Sequence, residues 1–325
     1  MKPVRSFDLL ILGGGIAGMT AAIFAARANM KTAIVEEKIC GGLANWTNSV
    51  ENFPSHVSIN GMELMERVLA QVQNLGVEVD QAAEVVRLDL RGPFKTVETG
   101  EYVYTGKAII LATGRQPVEL QVETDCDHIH YCSVCDGSAY IGKKVLVVGG
   151  GNSGFDESLY LLSMGVAEII MVEALDSCSA SEITQAKLRS YGNVDIRTRT
   201  CVSAVANEGR GCRVMLENLR FGARESLYVD GVFVFMGQKP NTSLFRGLVD
   251  LDENGYIVAR TNMETKVPGV YAAGDAVQKS YRYLTTAMAD GTIAALAAEK
   301  YIRARIENEV QPPRVTVDPN EAVGS

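Results

Sequence analysis

The chain has 325 residues, of which 47% are hydrophobic, and a formal net charge of −8. This composition predicts a soluble globular protein with room for two domains, and it excludes disordered and fibrous classes. The acidic balance and the scattered basic residues argue against nucleic acid as a partner. No apolar stretch approaches the roughly 20 residues that span a bilayer, and residues 1–8 run directly into the first apolar strand. We therefore expect a cytoplasmic protein that does not insert into a membrane.

Residues 8–37 have the pattern of a β-α-β unit. An apolar run leads into the turn Gly13-Gly14-Gly15-Ile16-Ala17-Gly18, an alanine-rich helix follows, and a second strand ends at Glu36. Glycines in such a turn let the backbone approach a pyrophosphate, and an acid about 20 residues further on accepts hydrogen bonds from a ribose. The pattern predicts a dinucleotide site in which Glu36 contacts the ribose. The alternative is a solvated acid at a strand end.

The following stretches complete a first domain. Amphipathic periodicity predicts a helix at 61–70, and apolar patterning predicts strands at 97–104 and 108–112. Thr113-Gly114 then breaks the pattern, so the chain is expected to leave this domain near residue 116.

A second glycine-rich unit lies further along the chain. The apolar run 145–148 precedes Gly149-Gly150-Gly151-Asn152-Ser153-Gly154, and Glu173 ends the next strand. The two units match in both the turn and the acid that follows it, so we predict a second nucleotide site.

The pattern of the first domain resumes near residue 240. A turn at 267–269 feeds a short buried strand that ends on Gly274-Asp275, an acid placed to meet another part of the first nucleotide. The predicted fold is α/β, with two doubly wound, Rossmann-like dinucleotide-binding domains, the second inserted into the first. The discontinuous domain comprises 1–116 and 240–310, the inserted domain comprises 117–239, and the polar residues 311–325 form a flexible tail.

A Cys-x-x-Cys pair, Cys132 and Cys135, lies between the two glycine-rich turns and is followed by Asp136. Such a pair can close to a disulfide, accept two electrons and pass them on by thiol exchange. A neighbouring carboxylate can act as a general acid, because each exchange needs a proton for the leaving thiolate. The remaining cysteines are expected to be packing residues: Cys40, Cys178, Cys201 and Cys212.

Metal-ligand residue types also occur just before the dithiol. Cys126, His128 and His130 could share one face of an extended strand with Cys132. The redox role already accounts for Cys132 and Cys135, so no metal site is predicted.

Together these motifs resemble the low-molecular-weight thioredoxin reductases, over about residues 8–302. The resemblance implies that the discontinuous domain binds FAD, that the inserted domain carries the dithiol and a nicotinamide site, and that the protein is a homodimer. It also implies that Cys135 faces the flavin, that Cys132 attacks a protein disulfide and that Asp136 relays protons. The residues expected to bind FAD are Gly13, Gly15, Ile16, Ala17, Gly18, Glu36, Glu37, Gly42, Leu43, Asn45, Asn52, Ala112, Thr113, Gly114, Gly274, Asp275, Arg282 and Tyr283.

The second nucleotide site departs from that family. Relatives that use NADPH carry a run of basic residues after the strand that ends near Glu173, whereas residues 172–179 contain no cation here. Glu173 would repel a 2′-phosphate, so NADH is predicted in place of NADPH. The alternative is a lapsed site, with ferredoxin or another flavin as the electron donor. The residues expected at this site are Gly149, Gly151, Asn152, Ser153, Gly154 and Glu173.

A further departure concerns Tyr283, where relatives usually carry Gln. The aromatic ring would either stack near the flavin or be a tolerated tyrosine.

The predicted function is a flavin-dependent thiol-disulfide oxidoreductase that passes electrons from FAD through Cys132 and Cys135 to thioredoxin or a similar small disulfide protein. Two alternatives stay open. One is a dithiol oxidase with oxygen as the acceptor, and the other is a flavin-binding redox sensor or electron carrier.

Overall fold

The computed structural model describes residues 2–310, with side chains to residue 306. The predicted flexible tail, 311–325, lies outside the described residues. The strands are β1 (Val4–Leu12), β2 (Thr32–Val35), β3 (Glu78–Asp80), β4 (Val85–Asp89), β5 (Lys95–Thr99), β6 (Val103–Leu111), β7 (Arg115–Pro117), β8 (Ile129–His130), β9 (Lys144–Val148), β10 (Glu168–Val172), β11 (Val194–Arg197), β12 (Thr200–Glu208), β13 (Gly211–Asn218), β14 (Arg224–Val229), β15 (Gly231–Val234), β16 (Gln238–Pro240) and β17 (Val270–Ala272). The helices are α1 (Ile16–Arg27), α2 (Gly61–Asn74), α3 (Ser133–Asp136), α4 (Asn152–Met164), α5 (Glu182–Arg189) and α6 (Leu284–Val310).

The described residues divide into two compact units. The first contains residues up to 44, 63–114 and 241 onward, and the second contains 45–62 and 115–240. The sequence pattern assigned all of residues 1–116 to one domain, whereas the structure groups 45–62 with the second unit. Within the described residues, no helix is both long and apolar enough to cross a membrane.

The first unit is built on one mixed sheet. Its strand order is β3-β2-β1-β6-β5-β4, and β17 pairs with β6. Strands β3, β2, β1, β6 and β17 are parallel, so their carboxyl ends meet at one edge. The predicted strand 97–104 is wrong: β5 ends at Thr99 and β6 begins at Val103, because the chain reverses through Gly100.

The second unit contains a five-stranded parallel sheet of order β11-β10-β9-β15-β8. An antiparallel sheet, β12-β13-β14, packs against it through an apolar core that includes Leu146, Val205 and Val214. The edge strand β8 leads directly into the dithiol segment, so the parallel sheet positions the two cysteines. The mixed sheet of the first unit and the parallel sheet of the second, together with their helices, confirm the predicted α/β fold class.

A disulfide that the sequence did not predict joins Cys126 to Cys212 on β13, with Cα atoms 6.6 Å apart. Cys212 is fully buried, and Cys126 packs against the same core cluster. The prediction that Cys212 is only a packing residue is therefore wrong, and the Cys126 sulfur, one of the metal-ligand residue types noted in the sequence, is engaged in this disulfide. The two cysteines are 86 positions apart, and sequence alone does not determine such pairings.

We expect Cys126→Ser or Cys212→Ser to lower the free energy of unfolding by about 2–4 kcal/mol, because the crosslink restricts the unfolded chain. Denaturant unfolding without reductant measures this, and Cys201→Ser on neighbouring β12 is the matched control. Equal stability of all variants, with a free thiol at Cys126 in the wild type, would contradict the pairing.

Candidate active site and nucleotide-binding turns

The first glycine-rich turn joins β1 to α1 and has a geometry that requires glycine. Gly13 has a φ of +109°, and a Cβ there would strike the carbonyl of Ala112. A Cβ on Gly18 would strike the carbonyl of Gly13, so the start of the helix packs directly on the turn. These two glycines bring α1 close to the carboxyl end of β1.

Glu36, which follows β2, is held against this turn. One carboxylate oxygen accepts from the Gly14 amide at 2.6 Å, and the other accepts from the Lys38 amide at 2.8 Å. The loop after Glu36 returns to the turn, because the Gly41 amide donates to the Gly14 carbonyl at 2.8 Å. Glu36 is therefore fixed beside the turn, where a ribose contact is expected.

Other residues predicted to bind FAD meet at the same edge of the sheet. The amides of Ala112 and Ala273 donate to the carbonyls of Leu12 and Leu111, at 2.8 and 2.9 Å. A Cβ on Gly274 would lie 2.8 Å from the Cβ of Ala17. The structure thus brings together the first turn, the segment from Ala112 to Gly114, and Gly274 with Asp275.

Arg282 lies near this edge in an unusual environment. Its guanidinium stacks 3.9 Å over the ring of Tyr256, and an Nη atom donates to the Val277 carbonyl at 3.4 Å. The Nε atom is buried and has no hydrogen-bond partner among the described residues. A ligand with an acceptor atom would satisfy this donor.

Tyr283 has an exposed side chain. Its amide donates to Thr286 Oγ1 at 3.0 Å, and this hydrogen bond caps α6.

Sequence reasoning missed an ion pair beside Gly274: Lys279 Nζ lies 2.7 Å from Asp290, whose carboxylate also accepts from the Gly274 amide at 3.1 Å. Lys279 also lies 3.6 Å from Asp275. This pair fixes the turn that follows β17.

The remaining predicted FAD residues do not all fall in the first unit. Asn45 is buried and Asn52 is exposed, and both lie in segment 45–62, which groups with the second unit. Glu37 is exposed and Leu43 is half-buried.

The first turn fits a dinucleotide on its own geometry. A Cβ on Gly15 or on Gly114 would meet no atom within 4 Å, so both glycines face open space beside otherwise crowded backbone. Gly15 also precedes α1 without a side-chain cap, which leaves the first amides of the helix available. These features, with the Arg282 donor, match the needs of FAD.

The second glycine-rich turn repeats the first one closely. The carboxylate of Glu173 accepts from the Gly150 amide at 2.7 Å and from the Leu175 amide at 2.9 Å. A Cβ on Gly150 would lie 2.8 Å from the sulfur of Cys178, just as Cys40 packs over the middle glycine of the first turn. Burial raises the pKa of both thiols, that of Cys40 to about 12, which disfavours the reactive thiolate form of each.

The N-terminus of the helix that follows this turn also has no side-chain cap. Gly151 precedes α4 without a side-chain cap, and Ser153 is exposed. The Asn152 side chain is already engaged, because it accepts from the Ser181 amide at 2.9 Å.

Two arginines that sequence reasoning missed lie near the loop that follows Glu173. A cavity of about 410 Å³ is lined by Ala174, Asp176, Leu219 and two arginines, Arg199 and Arg220. Arg199 is paired with Asp176, with its Nε 2.7 Å from the carboxylate. Both arginines come from distant strand ends, so the 172–179 stretch does not reveal them.

The dithiol lies across the first turn of α3. Cys132 and Cys135 form a disulfide, and the Cys135 amide donates to the Cys132 sulfur at 3.1 Å. Cys132 is buried, whereas Cys135 is exposed. An amide aimed at a sulfur stabilises the thiolate that forms when the disulfide is reduced.

Asp136 follows the dithiol and contacts a histidine. Its carboxylate lies 3.3 Å from His130 Nδ1, and His130 Nε2 lies 2.6 Å from the Tyr140 hydroxyl. Among the described residues, no cluster of three or more Cys, His, Asp or Glu side chains is arranged to hold a metal ion.

Glu157 on α4 connects the second turn to the dithiol. Ser133, between the two cysteines, donates its hydroxyl to this carboxylate. Burial, with a smaller effect from Asp156, raises the pKa of Glu157 to about 7.

The comparisons with known proteins agree with this geometry. The family model of pyridine nucleotide-disulphide oxidoreductases matches residues 7–291. The chain belongs to this family. It is an FAD-dependent disulfide oxidoreductase of the thioredoxin reductase type, which confirms the resemblance seen in the sequence.

Individual relatives cover nearly the whole chain. A Clostridium pasteurianum protein, described as a 34.2 kDa protein in the rubredoxin operon, is 38% identical over 93% of this chain and 99% of its own length. Thioredoxin reductase of Bacillus subtilis is 34% identical, over 93% of this chain and 96% of its own length. The crystal structure of Lactococcus lactis thioredoxin reductase superimposes with a TM-score of 0.83 at 31% identity, over 92% of this chain and 99% of that one.

We expect Glu157→Gln to make the protein less sensitive to pH between 5 and 8. The folded-state pKa of about 7 exceeds the ordinary 4.5, so the stability that Glu157 contributes is complete at low pH and is lost as pH rises through 7. The variant should gain about 1–3 kcal/mol over the wild type on going from pH 5 to pH 8. Urea unfolding at both pH values measures this, with Glu253→Gln, an exposed acid, as the control; parallel pH profiles for E157Q and wild type would disprove the assignment.

Proposed function

We propose that this protein reduces the disulfide of thioredoxin or a similar small protein, with NADH as the electron donor. The observation that carries the proposal is the Cys132–Cys135 disulfide. Its buried Cys132 sulfur accepts a hydrogen bond from the Cys135 amide, and Asp136 follows it in the chain. Relatives named thioredoxin reductase support the choice of acceptor. A cytoplasmic location remains a prediction from the sequence, and a homodimer remains a prediction from the family resemblance.

FAD is the cofactor expected for this family. We assign its pyrophosphate to the first turn, its ribose to Glu36 and its remaining contacts to the segments around Thr113, Asp275 and Arg282. When bound, FAD supplies two electrons to a disulfide.

The chain's own groups would then carry out thiol exchange. The Cys132 thiolate, stabilised by the Cys135 amide, attacks one sulfur of the acceptor and forms a mixed disulfide, and the other acceptor sulfur leaves as a thiolate. Cys135 then attacks Cys132, which restores the enzyme disulfide and releases the second thiolate. Asp136 donates a proton to a leaving thiolate. Because Cys132 is buried here, its attack on a protein requires a conformation that exposes it.

The electron donor is assigned from the second turn. Glu173 is fixed at the position where a ribose hydroxyl would meet a carboxylate, and it disfavours a 2′-phosphate. Arg199, a nearby cation, is already neutralised by Asp176. The name of the Clostridium relative places it in a rubredoxin operon, so an iron protein is the alternative donor to test.

We expect Gly15→Ala to reduce the FAD content of the purified protein while leaving its fold unchanged. The new methyl group meets no protein atom within 4 Å, but it occupies space assigned to the pyrophosphate. The ratio of flavin to protein absorbance measures the occupancy, and circular dichroism measures the fold. Gly100→Ala, which also faces open space, is the control; full FAD occupancy in G15A would refute the assignment of this turn.

The donor and the acceptor can be tested in one anaerobic experiment. NADH, NADPH, reduced ferredoxin and reduced rubredoxin are mixed separately with the enzyme and oxidised thioredoxin, and thioredoxin thiols are counted. We expect turnover with NADH and none above background in Cys132→Ser or Cys135→Ser, whereas Cys201→Ser should match the wild type.

The variant Glu173→Gln checks the donor assignment separately. Loss of the carboxylate charge should lower the ratio of kcat/KM for NADH to that for NADPH by about tenfold. Faster turnover with NADPH in the wild type would overturn the choice of NADH, and full turnover by the cysteine variants would overturn the proposed reaction.

A further inference from the structure

The chain has three histidines, and two of them lie beside the dithiol. His130 ends β8, His128 precedes that strand, and the segment after β8 leads within two residues to Cys132. Neither histidine has a role in the thiol exchange described above.

A continuous line of polar contacts joins these histidines to Asp136. His130 Nδ1 lies 3.3 Å from the Asp136 carboxylate, and His130 Nε2 lies 2.6 Å from the Tyr140 hydroxyl. The same hydroxyl lies 3.4 Å from His128 Nδ1. All four groups belong to the second unit, and the order along the line is Asp136, His130, Tyr140, His128.

One arrangement of protons satisfies every contact on this line. His128 Nδ1–H donates to the Tyr140 oxygen, the Tyr140 hydroxyl donates to His130 Nε2, and His130 Nδ1–H faces the Asp136 carboxylate 3.3 Å away. Each donor then faces one acceptor, which is the condition for passing a proton from one end to the other. Tyr140, in the middle of the line, is only 4% exposed and is shielded from water. His128, at the end of the line, is half-buried and can exchange protons with water.

The surroundings keep His130 neutral. Burial lowers the pKa of His130, and His128 acts in the same direction, while Asp136 opposes them. The rings of Tyr140 and Phe233 pack against the imidazole with centroids 5.2 Å away. Burial raises the pKa of Tyr140 to about 12, with Asp136 and Asp230 adding to the effect, and Lys143 lies 5.2 Å from the Tyr140 ring. A neutral imidazole can donate at one nitrogen and accept at the other, as a relay requires.

We propose that His130 positions the Asp136 carboxyl and returns a proton to it from Tyr140 and His128 after each thiol exchange. This inference rests on the proposed function, because it concerns the protonation of the leaving thiolate. His130 acts through Asp136 and is therefore a positioning residue.

The protons balance along this line. When a disulfide sulfur leaves as a thiolate, Asp136 protonates it and becomes a carboxylate. His130 gives its Nδ1 proton to Asp136 and takes one from Tyr140, which takes one from His128. Water supplies one proton to His128, so one proton enters along the line for the first thiol released. The second leaving thiolate takes the proton that Cys135 loses when it attacks Cys132, so one proton enters for each disulfide reduced, and no electron moves along the line.

The test compares two disulfides that differ in their need for a proton. The dithiol form of the enzyme is mixed in single turnover with bis(2-hydroxyethyl) disulfide, whose alkyl thiolate needs protonation, and with 5,5′-dithiobis(2-nitrobenzoic acid), whose aryl thiolate leaves without it. We expect His130→Gln to slow the first reaction by about 10–100-fold at pH 8 and to change the second less than about twofold. Asp136→Asn should give the same selective loss, and the double variant should lose no more than either single one.

Two further variants keep the test independent of folding defects. His128→Gln should slow the alkyl reaction and shift its pH profile, because it removes the entry point for protons. His56→Gln changes the third histidine and should leave both reactions unchanged.

The outcomes separate this inference from the proposed function. Equal effects of H130Q on the alkyl and aryl disulfides, or additive losses in H130Q/D136N, would overturn the relay while thiol exchange itself stands. If the wild-type dithiol reduces neither disulfide, the proposed function fails and the relay fails with it.

Discussion

The hydrogen bond from the Cys135 amide to the Cys132 sulfur is the interaction on which the proposed chemistry of this protein depends. It places the disulfide across the first turn of a short helix and favours a thiolate on the buried cysteine once the pair is reduced. The surrounding elements hold that turn in place: β8 leads into it from the edge of a parallel sheet, and Ser133 links it to Glu157 on the nucleotide helix. Asp136, the next residue after Cys135, is then the proposed proton source for the leaving thiolate.

The two glycine-rich turns show how one local solution is used twice. In each turn a glycine amide donates to a glutamate that ends the next strand, and a cysteine sulfur packs over the same middle glycine. The units differ in the loop that follows the glutamate. In the second unit this loop borders a cavity with Arg199 and Arg220, and the Asp176 partner of Arg199 makes its charge less available to a phosphate. We therefore expect the choice of nucleotide to depend on a balance between Glu173 and these arginines.

The sequence predicted the features that local spacing encodes. Both glycine-rich turns, their glutamates and the Cys-x-x-Cys pair follow from short-range patterns, and the α/β class follows from their order along the chain. Contacts between distant segments could not be predicted in this way. The Cys126–Cys212 disulfide spans 86 positions, Arg199 and Arg220 reach the loop after Glu173 from other segments, and Tyr140 joins the two histidines only after α3 turns the chain back. The predicted strand 97–104 failed because its alternation continues through the turn at Gly100.

The central claim is that FAD and the Cys132–Cys135 disulfide form one electron path, and anaerobic electron counting tests it most directly. Photoreduction of the FAD-bound protein, followed by flavin absorbance and by alkylation of new thiols, gives the number of electrons accepted per FAD. We predict about four electrons in the wild type, two for FAD and two for the disulfide, and about two in Cys132→Ser/Cys135→Ser. Flavin that is fully reduced by two electrons in the wild type, with Cys132 and Cys135 still joined, would contradict the account.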